Sequence, residues 1–273
     1  VRSDENTRIG RKYAYSVALG RKPDRRAQIH EKNTYLPRRA KNWRRLKNST
    51  TFPKTEKSMN FYIKGSDFYL NDQKIKIISG AEHYFRNMPD TWRDIFKKLR
   101  ALGCNCVETY CAWNMHEKRP GEFDFSGMLD ISRFLTLAQQ EGLLAIVRPG
   151  PYICAEWEFG GLPWWIQTYD DMEIRCSSPV YMKYFKRYIK NIADIIAPLQ
   201  ITRGGNVIMV QCENEYGYYG DDKNYLKELR DYYVSSGIEV PLFTSDGTGE
   251  DNLLDGTVEG CLATLNFGSR VKE

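Results

Sequence analysis

Histidine is scarce in this chain: only His30, His83 and His116 occur, too far apart to build a histidine metal site. Cysteine is present seven times, an odd number with no C-x-x-C pair, which argues against a disulfide framework and against zinc. Several of these cysteines fall inside expected strands, where a thiol behaves as a small apolar group. Long hydrophobic runs are missing too, and none approaches the roughly 20 residues of a membrane span. The first residues are charged rather than basic-then-apolar, so no signal peptide is expected there.

The net charge of +5 is unevenly placed. Residues 1–57 carry 17 Lys and Arg against 5 Asp and Glu, leaving 23 against 30 in the rest. This basic segment has few aliphatic residues and no sustained apolar period, and is expected to be mostly disordered. A nucleic-acid-binding arm is the sharper reading and a solvated linker the plainer one. No nucleic-acid motif accompanies the charge, so the plainer reading is preferred. Asn48-Ser49-Thr50 matches a glycosylation acceptor, meaningful only in a secreted protein.

From residue 59 onwards the texture is that of a folded domain, expected over 59–273. Two short strands with a turn at Asn71-Asp72 come first. Strand and helix patterns then alternate: strands over 75–83, 105–113, 143–147, 206–211, 240–244 and 258–266, with helices over 90–102, 130–142, 180–197 and 223–236. Repeated units of this kind build a parallel sheet with helices outside. A doubly wound open sheet would carry a glycine-rich phosphate loop after its first strand. Here that strand runs into Gly80-Ala81-Glu82-His83-Tyr84, which is no such loop. Polar and aromatic groups instead gather at strand ends: Tyr110, Trp113-Asn114, Arg148, Tyr152, Glu213-Asn214-Glu215 and Ser245-Asp246. That distribution predicts an α/β fold, the (β/α)8 TIM barrel, whose catalytic groups sit at the C-terminal strand ends.

The stretch over 206–217, N-V-I-M-V-Q-C-E-N-E-Y-G, is the centre of this reading. An apolar, doubly buried strand that ends in acid-amide-acid must open into a cleft, because an unpaired buried carboxylate costs several kcal/mol. The competing structural reading is that Glu213 or Asn214 caps the next helix. Acids, amides and aromatics suit a polyhydroxylated ligand, with Tyr110, Trp113, Tyr152, Trp157, Phe159, Trp164 and Trp165 as candidate stacking faces or ordinary packing. Glycosidic cleavage needs two carboxyl groups across the bond, one a proton donor, and Glu215 is the candidate donor.

Five stretches carry a resemblance: S-G-A-E-H-Y-F-R (79–86), T-Y-C-A-W-N-M-H-E (109–117), P-G-E-F-D-F-S-G (120–127), R-P-G-P-Y-I-C-A-E-W-E-F-G-G-L-P-W-W (148–165) and Q-C-E-N-E-Y-G (211–217). In this order and spacing the chain resembles glycoside hydrolase family 35, the β-galactosidases. The resemblance implies a TIM-barrel catalytic domain, a retaining mechanism on a β-galactoside and no metal or organic cofactor. It implies Glu215 as acid/base, with Tyr110, Cys154, Ala155, Glu156 and Asn214 lining the galactose subsite. Between Glu156 and Glu158, Glu156 is preferred for the sugar and the other is a candidate partner of Arg148. It also implies a lysosomal or secreted location. The family pattern has proline before Trp113, where this chain has Cys111-Ala112.

The family's nucleophile is a glutamate on the seventh strand in a Ser-Glu-aromatic context, which residues 1–273 lack. About six of eight strands are read, so the expectation is a barrel truncated after six strands and a fragment inactive by itself. The alternatives are a related retaining β-glycosidase of other sugar specificity and a non-catalytic galactose-binding protein.

Overall fold

The computed structural model describes residues 58–268. The basic segment expected to be disordered, the glycosylation pattern at Asn48 and the terminal Glu273 lie outside the described residues. Among the described residues no helix is long and apolar enough to cross a membrane.

The fold opens with a three-stranded antiparallel meander, β1 (Phe61–Lys64), β2 (Asp67–Leu70) and β3 (Gln73–Ile75). The expected turn is there: Asn71 and Asp72 adopt φ 48° and 64°, the left-handed pair that a tight hairpin requires and that Asn and Asp tolerate best. Met59 N–H donates to the Ile201 carbonyl at 2.9 Å, and Phe61 and Leu70 join the main core.

Six strands then form one parallel sheet in chain order. They are β4 (Ser79–Ala81), β5 (Cys106–Tyr110), β8 (Leu144–Arg148), β9 (Val207–Gln211), β10 (Leu242–Asp246) and β11 (Leu262–Leu265). Between β4 and β5 runs α1 (Pro89–Ala101), with Pro89 in its first turn, where a missing N–H costs nothing. After β5 come a short turn, α2 (Trp113–His116), a small hairpin of β6 (Glu117–Arg119) and β7 (Glu122–Phe123), and α3 (Ile131–Gln140). The crossovers to β9, β10 and β11 are α4 (Pro179–Ile196), α5 (Lys223–Ser235) and α6 (Glu250–Gly256). Strands in sequential parallel order, joined by helices, make the arc of a (β/α)8 barrel.

Burial follows from this layering. Every residue of β8, β9 and β10 is buried, as expected of parallel strands covered on both faces. The helices turn their apolar stripes inward: Trp92 and Phe96 of α1, Phe134 and Leu135 of α3, Tyr188 and Ile192 of α4. Cys106, Cys111 and Cys212 are buried among them as small apolar groups. The first barrel strand is shorter than its sequence pattern, three residues instead of nine, because only Ser79–Ala81 pairs with β5. The second strand stops at Tyr110, and Trp113 opens a helical turn instead of extending it.

Candidate active site

At the end of β9 the chain leaves the sheet through two left-handed residues, Glu213 at φ 63° and Glu215 at φ 49°. A left-handed non-glycine residue costs about 1–2 kcal/mol, so both must be held from outside. Three backbone bonds do part of this: Cys212 N–H to the Phe243 carbonyl (2.8 Å), Glu213 N–H to Gly150 (3.2 Å) and Glu215 N–H to Ser245 (2.8 Å). Gly217 does another part. A Cβ there would stand 1.8 Å from the Asn252 carbonyl oxygen, so only glycine lets this turn press against α6.

Glu213 is buried and fully occupied. Its Oε1 accepts from Arg175 Nε (3.1 Å) and from the Tyr225 hydroxyl (2.8 Å). Its Oε2 accepts from Arg175 Nη2 (2.9 Å) and from the Asn214 N–H (2.7 Å). Arg175 donates also to the Asn214 carbonyl (2.8 Å), and its guanidinium lies 3.9 Å from the Tyr152 ring centre and 4.3 Å from that of Tyr219. Burial works against the Arg175 charge, yet the Glu213 carboxylate outweighs it and pushes the guanidinium above its ordinary value.

Asn214 gathers three donors on one oxygen. Its Oδ1 accepts from Tyr110 Oη (3.0 Å), Arg148 Nη2 (3.0 Å) and Gln211 Nε2 (3.2 Å). This fixes the amide orientation and leaves Nδ2, without a partner among the described residues, as the available donor. Arg148 is itself held by Gln211 Oε1 and by Glu108 at 3.7 Å, with its guanidinium 4.2 Å from the Tyr110 ring centre. His83 Nδ1 accepts the Tyr110 N–H at 3.3 Å. Burial, aided by the charges of Arg86 and Arg148, lowers His83 to about 4, so it is neutral above that pH.

Glu215, only partly buried, has a lighter environment. Its Oε1 accepts from Asn266 Nδ2 at 3.1 Å, just beyond β11. Beside it, Asp246 at the end of β10 accepts the Gly217 N–H on Oδ1 (3.1 Å), while its Oδ2 is buried without a partner. Burial, with Glu213 and Glu215 adding repulsion, raises the Asp246 carboxyl to about 6.

The loop after β8 shows a second concentration of strain. Cys154, Ala155 and Glu156 are consecutively left-handed, at φ 55°, 54° and 44°. Arg86 Nη2 donates to the Ala155 carbonyl and its guanidinium lies 5.3 Å from the Trp157 ring centre. Burial first, and the Cys154 thiol after it, raise the Tyr152 hydroxyl above its ordinary value. Runs of strained residues are found where surrounding structure holds a functional geometry.

A sequence model of glycosyl hydrolases family 35 matches residues 67–273. The chain belongs to this family. Curated relatives agree: a rat beta-galactosidase-1-like protein 3 is 42% identical over 76% of this chain and 32% of its own length. A beta-galactosidase of Xanthomonas manihotis is 42% identical over 76% and 34%, and rice beta-galactosidase 8 is 40% identical over 78% and 32%. The chain thus spans about a third of the length of the curated relatives it matches. Among solved structures, a GH5_18 protein from Streptomyces cattleya in complex with GlcNAc superposes with a TM-score of 0.52 at 13% identity, over 64% of this chain and 47% of that one. At that identity it speaks for the shared barrel fold alone.

Within this family 35 chain, the residues singled out from sequence fall into two groups. Tyr110 and Asn214 are hydrogen-bonded to each other, and Glu215 is one residue on. Cys154, Ala155 and Glu156 share the left-handed turn, where Glu156 is exposed and makes no side-chain bond among the described residues. Neither Glu156 nor Glu158 pairs with Arg148, whose acidic partner is Glu108. The helix-cap reading of Glu213 and Asn214 is not met: Asp222 caps α5, accepting from the Tyr225 N–H at 3.0 Å. Two candidate stacking faces are core groups. Trp113 and Trp165 are buried around Glu117, donating to its Oε2 (2.7 Å) and its carbonyl (2.9 Å). Trp157 remains half-exposed, tied to Asn114 Oδ1 at 3.1 Å. Sequence reasoning did not find Arg175 or Asn266. Arg175 stands in an irregular segment with no periodicity to mark it, and Asn266 is a lone amide after a short strand.

Proposed function

We propose that the protein is a retaining β-galactosidase that releases terminal non-reducing β-D-galactose, with residues 59–273 belonging to its catalytic domain. Glu215 is the acid/base. Tyr110, Cys154, Ala155, Glu156 and Asn214 line the galactose subsite. The observation that carries this reading is the contrast at the end of β9. Glu213 has every lone-pair direction taken, whereas Glu215 is half-buried with a single amide donor on Oε1. A carboxyl that must give and retake a proton needs a free oxygen, and Glu215 has one. Asn214, anchored through Oδ1, presents Nδ2 to a sugar hydroxyl.

In the first step Glu215 protonates the glycosidic oxygen as a carboxylate nucleophile attacks the anomeric carbon from the opposite face. In the second it deprotonates the water that releases the sugar. The two carboxyls stand about 5–5.5 Å apart in such enzymes. Residues 1–273 contain no Ser-Glu-aromatic motif, so in this reading the nucleophile comes from outside them. The names of the curated relatives support galactose as the sugar.

The test uses protein made from the complete reading frame and a panel of chromogenic β-glycosides. Galactoside is expected to be preferred over glucoside and mannoside. Glu215→Ala is expected to lower kcat/KM on galactosides of poor leaving groups by about 10²–10⁴-fold. Preference for another sugar would move the assignment to a different β-glycosidase, and galactose binding without turnover would replace it with a non-catalytic lectin-like reading.

A further inference from the structure

Glu215 is approached from two neighbouring strands. Parallel pairing of β10 with β11 aligns Asp246 with Leu265, which places Asn266 one residue past the last pair. There Asn266 N–H donates to the Asp246 carbonyl at 2.7 Å and extends the ladder. Its side chain bridges two groups: Ser245 Oγ donates to Asn266 Oδ1 (2.7 Å), and Asn266 Nδ2 donates to Glu215 Oε1 (3.1 Å). An amide can be turned either way, but the reverse orientation would set its carbonyl oxygen against a carboxylate oxygen. The Ser245 hydroxyl, donating to the carbonyl, supports the orientation that gives Glu215 a donor.

From this arrangement we infer that Asn266 is a positioning residue for proton transfer: it holds Glu215 Oε1 as a permanent acceptor and reserves Oε2 for the proton delivered to the leaving glycosidic oxygen. The inference rests on Glu215 being the acid/base. Pinning one oxygen also fixes the plane of the carboxyl, and with it the line along which the proton travels. Among the described residues, Tyr110 and Asp246 are pushed upward, first by burial and further by the Glu215 carboxylate, and neither hydrogen-bonds to its carboxyl.

A residue that acts on proton donation matters in proportion to how badly the leaving group needs the proton. Two substrates separate this from a structural role: 2,4-dinitrophenyl β-galactoside, whose leaving group departs unprotonated, and methyl β-galactoside, whose leaving group does not. The comparison is made on kcat/KM, which reports the glycosylation step, in protein from the complete reading frame. Asn266→Ala and Asn266→Asp are expected to lower kcat/KM for the methyl galactoside by about 10-fold or more, part of the 10²–10⁴ that acid catalysis supplies. The dinitrophenyl substrate should change by less than about threefold. Ser245→Ala, which only frees the amide, should show the same selectivity at smaller size and covers the case in which position 266 tolerates no change.

Equal losses on both substrates, or no loss on either, would overturn the inference. Glu215→Ala is measured alongside. If it shows the leaving-group dependence and the Asn266 and Ser245 variants do not, only the positioning role falls. If Glu215→Ala lacks that dependence, or the wild type hydrolyses neither galactoside, the acid/base reading itself falls and this inference with it.

Discussion

Glu213 and Glu215 are the same residue type, two positions apart on one strongly bent turn, yet their surroundings have little in common. Glu213 is 1% exposed and sits in a cage of Arg175, Tyr225 and the Asn214 N–H, four bonds on two oxygens. Glu215 is partly open and takes one amide bond. The first carboxylate has both oxygens taken up by bonds within the fold. The second keeps an oxygen without a partner among the described residues. Burying an ion pair is close to break-even against an apolar replacement, but removing one partner is not, since the other charge remains buried. The Glu213–Arg175 pair therefore acts as a lock on the geometry of the turn more than as a source of net stability.

The largest effect should come from breaking that lock. Glu213→Gln leaves Arg175 buried without its counter-charge and is expected to cost about 3–5 kcal/mol of unfolding free energy in denaturant titration. Glu215→Gln, by contrast, should stay within about 0.5 kcal/mol of wild type in the same titration, because that carboxyl is half-exposed and weakly bonded. A comparable loss in both variants would erase the distinction between the two sites.

Next in size is a pH effect at the neighbouring Asp246. Its carboxyl is raised to about 6, by burial first and by Glu213 and Glu215 after it. The folded state therefore holds that proton more tightly than the unfolded chain. The corresponding stability is complete below about pH 4 and is lost as pH rises through about 6. Asp246→Asn should remove this loss, so the variant gains on wild type by about 2 kcal/mol between pH 4 and pH 7. His83 and His116, each lowered to about 4 chiefly by burial, act oppositely: their contribution is lost as pH falls from 6.5 to 4. For that reason the variant-minus-wild-type curve is the quantity to measure, since both histidines cancel in it. A flat difference curve would show that Asp246 does not titrate in this window.

The smallest effect probes the cage from its edge. Tyr225→Phe removes the hydroxyl that donates to Glu213 Oε1 at 2.8 Å and should cost about 1.5 kcal/mol, the low end for a bond to a charged group because Arg175 and the Asn214 N–H stay in place. An effect near zero would mean that Arg175 and the Asn214 N–H hold Glu213 without the hydroxyl.

What the sequence conveyed about this site follows how local each cause is. The barrel strands and helices are written in apolar period, and their observed limits stay close to those expected for α1, α3, α4, α5, β8 and β9. Glu215 was legible as a candidate because acids after a doubly buried strand are conspicuous. The division of labour between the two glutamates was not legible. It depends on Arg175, 38 residues away from Glu213 in the chain, brought in by a left-handed bend at φ 54° that no periodicity announces. Trp113 and Trp165 follow strand ends, where the sequence places candidate sugar platforms. Their burial is decided by Glu117, whose carboxylate and carbonyl accept both indole N–H groups. Asn266 was legible as a residue but not as a partner, because its role depends on the register of β10 and β11.

The three left-handed residues at 154–156 have a consequence for how this sequence would drift under selection. Glycine occupies that backbone region at no steric cost, so each of Cys154, Ala155 and Glu156 is a standing exception to what stability alone would choose. In a library selected only for resistance to heat, glycine should enrich at 155 and 156. If these side chains line the proposed galactose subsite, a library selected for galactoside turnover should purge glycine from 154 and 156. The distance between those two outcomes would measure how much stability the proposed subsite costs this loop.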